Sequence, residues 1–344
     1  MRAMSTIRVA GVGSGYFAQF HYGAWRRLPV ELVGVCDLDI AKAQAIVENF
    51  EHARAFDNAA KMLEAMRPEL LDVIVPPAAQ APIVEAAIDA GIPLICQKPF
   101  TPDLATARQL SQRAADAGVM LAIHENFRFE PWHQAIRALL EDDAIGTVYQ
   151  ISFRLRPGDG QGADAYLARQ PYFQRMPRFL MRETGIHLID VFRYLLGEVD
   201  QVMASLVRLN PHIDGEDAGV VLFKFASGAR GVFDGNRLVD HVADNRRLTM
   251  GDMLVEGERG VIRLDGDGRV WLRPQASNDE QLIKVDWENS GFAGDSVYRY
   301  QAHVLAHLKD GKPLTNAAAD YLRNMQLVEA VYRSDELGTW VQPE

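Results

Sequence analysis

At 344 residues the chain is long enough for two domains with full-sized cores, and 48% hydrophobic with 24% charged residues is a globular composition. The 36 basic against 46 acidic residues leave a net charge of −10, which argues against nucleic acid or an anionic membrane surface as a partner. No apolar run approaches the roughly 18 residues of a membrane-spanning helix.

The first expected element is a strand over Ile7–Val12, followed by Gly13-Ser-Gly15-Tyr16-Phe17-Ala18 and a segment of helical character. An early Arg2 precedes it, but the apolar residues that follow belong to this strand and run into the glycines, so a signal peptide is not expected. Gly13, Gly15 and Ala18 fill the G-x-G-x-x-G/A positions of a dinucleotide site. The first permits a tight turn, the second lets the backbone approach a pyrophosphate, and the third keeps the helix close to the strand. Unpaired N–H groups at the helix start suit phosphate. Gly11 and Gly13 make a competing pair, but that register places Tyr16 where bulk is harmful.

A second strand, Glu31–Cys36, ends at Asp37. A carboxylate there hydrogen-bonds the ribose 2′-OH and repels a 2′-phosphate. At about 4 Å and an effective dielectric near 20 that repulsion is roughly 4 kcal/mol, and a screened fraction still separates NAD from NADP by more than about tenfold. Leu38 and Asp39 follow rather than an arginine, so NAD is the expected cofactor. Asp39 reads more simply as a helix cap. A third strand, Leu71–Val75, is closed by Pro76 and Pro77, and a helix over about 81–90 stops at Gly91. Strand Ile92–Cys96 leads into Gln97-Lys98-Pro99, then come a helix over about 103–117, Gly118, and strand Val119–Ile123. This alternation calls for a doubly wound parallel sheet, a Rossmann domain over 1–125. Cys36 and Cys96 fall inside its strands without metal spacing and read as reduced core thiols of a cytoplasmic protein.

From Asn126 the pattern changes. A helix over about 131–140 is followed by strands over 148–156, 202–209, 220–225, 230–236 and 261–264, and helix 317–336 closes the chain. The second domain, 126–344, is therefore expected to be α+β with a large open, mostly antiparallel sheet. One of its faces, with Val220, Leu222, Val232 and Phe233, would be covered by self-association into a homodimer or homotetramer. A glycine-rich loop, 157–162, and an aromatic, arginine-rich stretch to Arg178 lie between the strands.

Two patterns carry chemistry. Lys98 follows a buried strand, and ligands bind at strand C-terminal ends in open parallel sheets. Glu183, His187 and Asp190 would share one stripe of an α-helix. The glycine turn with His21, Gln97-Lys98-Pro99, and Glu183-x-Gly-x-His187-x-x-Asp190 together resemble, in order and spacing, the Gfo/Idh/MocA family of glucose–fructose oxidoreductases, inositol dehydrogenases and rhizopine-catabolism enzymes. The match covers nearly the full length. Gln97 replaces that family's Glu, Glu183 its Asp, and Gln80 stands where His is common.

The resemblance implies an NAD-dependent oxidation of a hydroxyl on a sugar, cyclitol or related polyol, with a cis Lys98–Pro99 bond. It makes His187 the general base, a role suited to a group titrating near working pH. Lys98 would stabilise the alkoxide and Glu183 hold a neighbouring hydroxyl, with no metal needed. Cofactor contacts are then expected from Gly13, Gly15, Tyr16, Phe17, Ala18, Asp37, Pro76, Gln97, Lys98 and Asn126, with Arg128 near the nicotinamide end. Substrate contacts are expected from Lys98, Arg156, Tyr166, Arg169, Glu183 and His187, with Tyr172 a further candidate. Phe129 and Trp132 read as packing, and His303 and His307 as ordinary helix residues. Two other readings stay open: NAD-dependent glycoside cleavage by transient oxidation and elimination, and a non-catalytic cofactor-sensing protein.

Overall fold

The computed structural model describes residues 6–344; Arg2 lies outside the described residues. The chain divides into two compact units, one of residues up to Glu125 with Val297–Leu322, the other of Asn126–Ser296 with Arg323–Glu344.

The first unit alternates strand and helix: β1 (Ile7–Val12), α1 (Ala18–Trp25), β2 (Val30–Cys36), α2 (Ile40–Val47), β3 (Arg54–Phe56), α3 (Ala59–Met66), β4 (Leu70–Val73), α4 (Pro77–Asp89), β5 (Leu94–Gln97), α5 (Leu104–Ala117) and β6 (Leu121–His124). The strands pair in parallel in the order β3-β2-β1-β4-β5-β6. Residues of β4, β5 and β6 are buried throughout, which is why those segments read as mostly apolar instead of alternating, with Asp72, Gln97 and His124 as buried polar exceptions. Strand order reverses between β1 and β4, so the turns after these two strands flank the point where such sheets bind ligands.

Helix α4 starts earlier than the expected 81, because Pro77 at its first position has no N–H to lose. Asp103 caps α5 and Gly118 ends it in the left-handed region. Val297–Leu322 joins this unit at the β6 edge. Ile123 N donates to Asn316 O at 2.8 Å, Asn316 Nδ2 donates to Glu125 O at 2.8 Å, and the rings of His124 and Tyr300 meet at 4.6 Å. His303 and His307 lie on helix Ser296–Asp310 and bond Thr315 N and Lys312 O, respectively. Burial, with Asp37 and Asp57 nearby, pushes the Cys36 thiol up to about 11, and burial also raises Cys96.

The second unit is built on an eight-stranded sheet with α6 (Pro131–Glu141) and α7 (Ile186–Leu196). Its strands are β7 (Val148–Leu155), β8 (Val199–Val207), β9 (Ala218–Phe225), β10 (Arg230–Asn236), β11 (Gly251–Gly257), β12 (Gly260–Leu264), β13 (Val270–Pro274) and β14 (Gln281–Ile283). Only the β7–β10 pair among the named strands of this sheet is parallel. Strands β11, β13 and β14 lay outside the expected set. Phe192 of α7 meets Phe223 of β9 at 5.5 Å, which seats α7 on the buried face. The other face exposes Val220 and Leu222 beside Val232. Phe233 does not belong with them: it pairs with Val221 and is 1% exposed, because successive strand residues point to opposite faces.

Candidate active site

In the first unit the glycine turn is pinned between two strands. Gly13 N donates to Cys36 O at 2.8 Å, and Tyr22 Oη donates to Gly13 O at 3.0 Å. Gly13 has φ +110°, and a Cβ there would lie 2.2 Å from Ile74 O, so the position demands glycine. A Cβ at Gly15 would meet no protein atom within 4 Å. That open approach is what a pyrophosphate needs. Ser14 Oγ is buried in the same turn and has no hydrogen-bond partner among the described residues. Helix α1 has no acidic residue in its first turn and no side-chain cap, which leaves its positive end for an anion. Ala18 is buried at its start; Tyr16 packs edge-on against Phe20, and Phe17 against Phe20 and His21.

Asp37 is held above this turn: Oδ2 accepts from Ser14 N at 2.8 Å and Oδ1 from Asp39 N at 3.0 Å. Asp39 caps α2 through Ala41 N. These residues fit the diphosphate and ribose of a dinucleotide. Pro76 sits exposed at the start of α4.

The turn after β5 carries Lys98, half-buried, and the Lys98–Pro99 bond is cis. Gln80, fully buried on α4, spans this turn. Its Nε2 lies 2.8 Å from Gln97 O, 3.2 Å from Pro99 O and 3.2 Å from Val75 O, and its Oε1 accepts from Thr101 N at 2.7 Å. The Gln97 side chain turns inward, its Oε1 accepting from Lys98 N at 2.7 Å.

In the second unit, Glu183 and His187 do not lie on one α-helix. Leu180–Gly185 is a π-helix that passes into α7 at Ile186, so the expected single stripe is broken. His187, 4% exposed, stacks flat on Phe127, with ring centroids 3.9 Å apart and planes 4° off parallel. Asp190 turns to Arg128, with N···O distances of 2.7 and 2.6 Å, and accepts from Asn324 Nδ2 at 2.7 Å. Glu183 faces Thr184 Oγ1 at 2.7 Å and Arg237 Nη1 at 3.7 Å.

Arg237 is the centre of a buried cluster. Its Nη2 donates to Asp159 at 2.9 Å, Nε to Tyr166 Oη at 2.8 Å and Nη1 to Thr184 Oγ1 at 2.6 Å. The guanidinium stands 5.0 Å from the Tyr166 ring and 4.9 Å from that of Phe179. Arg169 pairs with the same Asp159 at 2.9 Å. Burial alone would raise the Asp159 carboxyl, but Arg237 and then Arg169 hold it below the usual aspartate range. Tyr166 and Glu183 thus gather around one cation, and Arg169 joins them through the shared Asp159. Arg156 is bound instead to Asp234 on β10 at 2.5 Å, Asn126 donates to Ser296 Oγ at 2.7 Å, and Tyr172 is exposed.

The oxidoreductase description of an NAD-binding Rossmann fold in the Gfo/Idh/MocA family matches residues 7–125, and that family's C-terminal domain matches 133–263. The chain belongs to the Gfo/Idh/MocA family. It is 33% identical to a D-apiose dehydrogenase of Paraburkholderia graminis, covering 96% of this chain and 88% of that one. A D-apiose dehydrogenase of Rhizobium rhizogenes is 29% identical over 98% of both chains. The fold superposes on an oxidoreductase from Agrobacterium radiobacter solved with NAD+, L-tartaric acid and magnesium, with a TM-score of 0.89, 27% identity and 98% coverage of each chain. The protein is an NAD-dependent oxidoreductase. No helix among the described residues is long and apolar enough to cross a membrane, and no three described His, Cys, Asp or Glu side chains are grouped to hold a metal ion.

Four residues of the two candidate regions, one in the first unit and three in the second, escaped sequence reasoning. Gln80 was visible only as a departure from the family's His; its value here is that an amide both donates and accepts, which the turn requires. Asp159 lay inside the glycine-rich loop, Arg237 just past β10, and Phe127 beside Asn126, with no local pattern to single them out.

Proposed function

We propose that the protein oxidises a hydroxyl of a sugar, with an aldose first in order and a cyclitol or other polyol next. The D-apiose dehydrogenases it resembles over nearly its whole length favour a sugar. NAD, held by Gly13, Gly15, the start of α1 and Asp37, supplies the hydride acceptor. His187 takes the hydroxyl proton, and its flat seat on Phe127 fixes the ring plane in which the basic nitrogen lies. Lys98 donates to the reacting oxygen and stabilises the developing alkoxide, so positive charge is present without a metal. Glu183, 3.7 Å from Arg237, accepts from a neighbouring hydroxyl.

The observation that carries this reading is the turn after β5. Four hydrogen-bond contacts from Gln80 and Gln97 hold the backbone around a single lysine, which a surface lysine would not need. The test is a panel of aldoses, cyclitols and sugar acids followed by NADH absorbance. Turnover with an aldose is expected; tightly held cofactor with no net NADH from any member would move the reading to oxidation–elimination of glycosides.

We also infer assembly into a homodimer or homotetramer through the outer face of the eight-stranded sheet, where Val220 and Leu222 are 42% and 37% exposed. Light scattering should find no monomer at micromolar concentration, and Leu222→Glu should shift the protein toward one. The two buried, unpaired cysteines favour a reducing compartment, the cytoplasm.

A further inference from the structure

Asp72 lies in β4, in the middle of the parallel sheet, and is fully buried. A carboxylate there is costly unless strong donors surround it. Its Oδ2 accepts from Trp25 Nε1 at 2.7 Å and lies 2.8 Å from His21 Nδ1, with Gln301 Nε2 at 3.4 Å. His21, also fully buried, presents Nε2 to the side-chain nitrogen of Gln97 at 3.0 Å. Gln97 Oε1 in turn accepts from the backbone N–H of Lys98 at 2.7 Å.

The chemistry of the groups fixes the direction of every bond in this chain. A backbone N–H only donates, so the amide oxygen of Gln97 faces Lys98 and its NH2 faces the imidazole. That NH2 also only donates, so His21 Nε2 accepts with its lone pair. The ring proton then sits on Nδ1, where Asp72 accepts it. Three successive donors point toward the buried carboxylate, and in these dry surroundings each bond polarises the next. The His124 ring, stacked 4.1 Å away and 34° off parallel, and the edge of Phe17 at 5.6 Å hold the imidazole plane.

We propose that Asp72, His21 and Gln97 form a one-directional tether that positions Lys98, and that glutamine at position 97 selects the Nδ1–H tautomer of His21. The inference rests on the role given to Lys98 above. These residues act through the Lys98 backbone and are positioning residues. The glutamate found at this place in the family motif cannot donate to the lone pair of Nε2. With it, the tether would close only around a doubly protonated ring, between two carboxylates.

Histidine-labelled ¹⁵N spectra of the full-length enzyme, with His21 assigned from its loss in His21→Gln, read the tautomer directly. The pattern of a neutral Nδ1–H ring is expected for the wild type, and that of a doubly protonated ring for Gln97→Glu. Kinetics with the best sugar of the panel supply the second arm. Gln97→Met, of similar length and bonded at neither end, should lower kcat and kcat/KM together by about tenfold or more, the signature of a displaced transition-state group. Gln97→Glu, which restores the acceptor for Lys98 N–H, should recover part of that loss. An Nε2–H ring in the wild type, or wild-type turnover in Gln97→Met, overturns the proposal. Failure of the Lys98 reading itself is recognised separately: Lys98→Met would then keep full turnover, whereas the His21 tautomer is read without turnover.

Discussion

The turn at 97–101 and the segment at 180–190 each carry a motif, and the two behave in opposite ways. Around the turn, Gln80 and Gln97 converge on one short stretch of backbone. Along the second segment, the three acid and imidazole side chains part company: Glu183 toward Arg237, Asp190 toward Arg128 and Asn324, and His187 onto Phe127. The difference lies in the backbone. The turn leaves β5, whose pairing with β4 and β6 fixes its exit direction. The segment begins as a π-helix, whose wider turn defeats the angular spacing assumed for an α-helix. Motif spacing predicts convergence only where one backbone geometry holds throughout.

Removing the proposed base or the proposed oxygen partner should have the largest effect. His187→Ala should lower kcat on the order of 10²–10⁴-fold, about 3–5 kcal/mol of transition-state stabilisation, and abolish the rising limb that a general base imposes on the pH profile of kcat/KM. Lys98→Ala should leave NAD affinity nearly unchanged by calorimetry while kcat falls. If both act on one oxygen, as proposed, the double variant should lose much less than the product of the single losses. A full product would mean that the two regions serve separate steps.

Arg237→Met strips the cation from Asp159 and Glu183 and should cost about 3–5 kcal/mol of stability, read as a lower Tm. The sign with pH follows from the lowered Asp159 carboxyl. A depressed folded-state value contributes stability above the ordinary aspartate value of about 3.9 and loses it as pH falls through the folded value. The Tm gap between wild type and Arg237→Met should therefore be full at neutral pH and narrow in acid. A gap that widens in acid would show that Asp159 is not held by Arg237.

Asp37→Ala asks whether a second strand-end turn is as well determined as the first. NAD should bind the wild type more than about tenfold tighter than NADP, a difference of about 1.4 kcal/mol or more, and the variant should narrow it in calorimetry. A wild-type preference for NADP would reverse the assignment. Phe127→Leu should have the smallest effect, a few-fold loss of kcat from a stacking contribution of about 0.5–1.5 kcal/mol, with Tm little changed. Unchanged kcat would make the stack mere packing.

Local pattern carried much of this molecule into view. The glycine turn, Asp37, Lys98 between a buried strand and a proline, and the alternation that calls for a parallel sheet all depend on chemistry within a few neighbouring residues. The open mixed sheet was legible as a class from its alternating strands. Yet β11, framed by Gly251 and Gly257, was not singled out, and Phe233 was set on the wrong face.

What the sequence determined on its own was therefore local: which residues turn tightly, which strands are buried, and which side chains can exchange protons or stabilise charge. Tertiary structure alone decided which groups meet. Asp72, His21 and Gln97 are separated by 51 and 76 residues along the chain, and Asp159 and Arg237 by 78. Buried polar groups must find partners wherever the fold brings donors and acceptors together, and no local periodicity encodes a partner that distant.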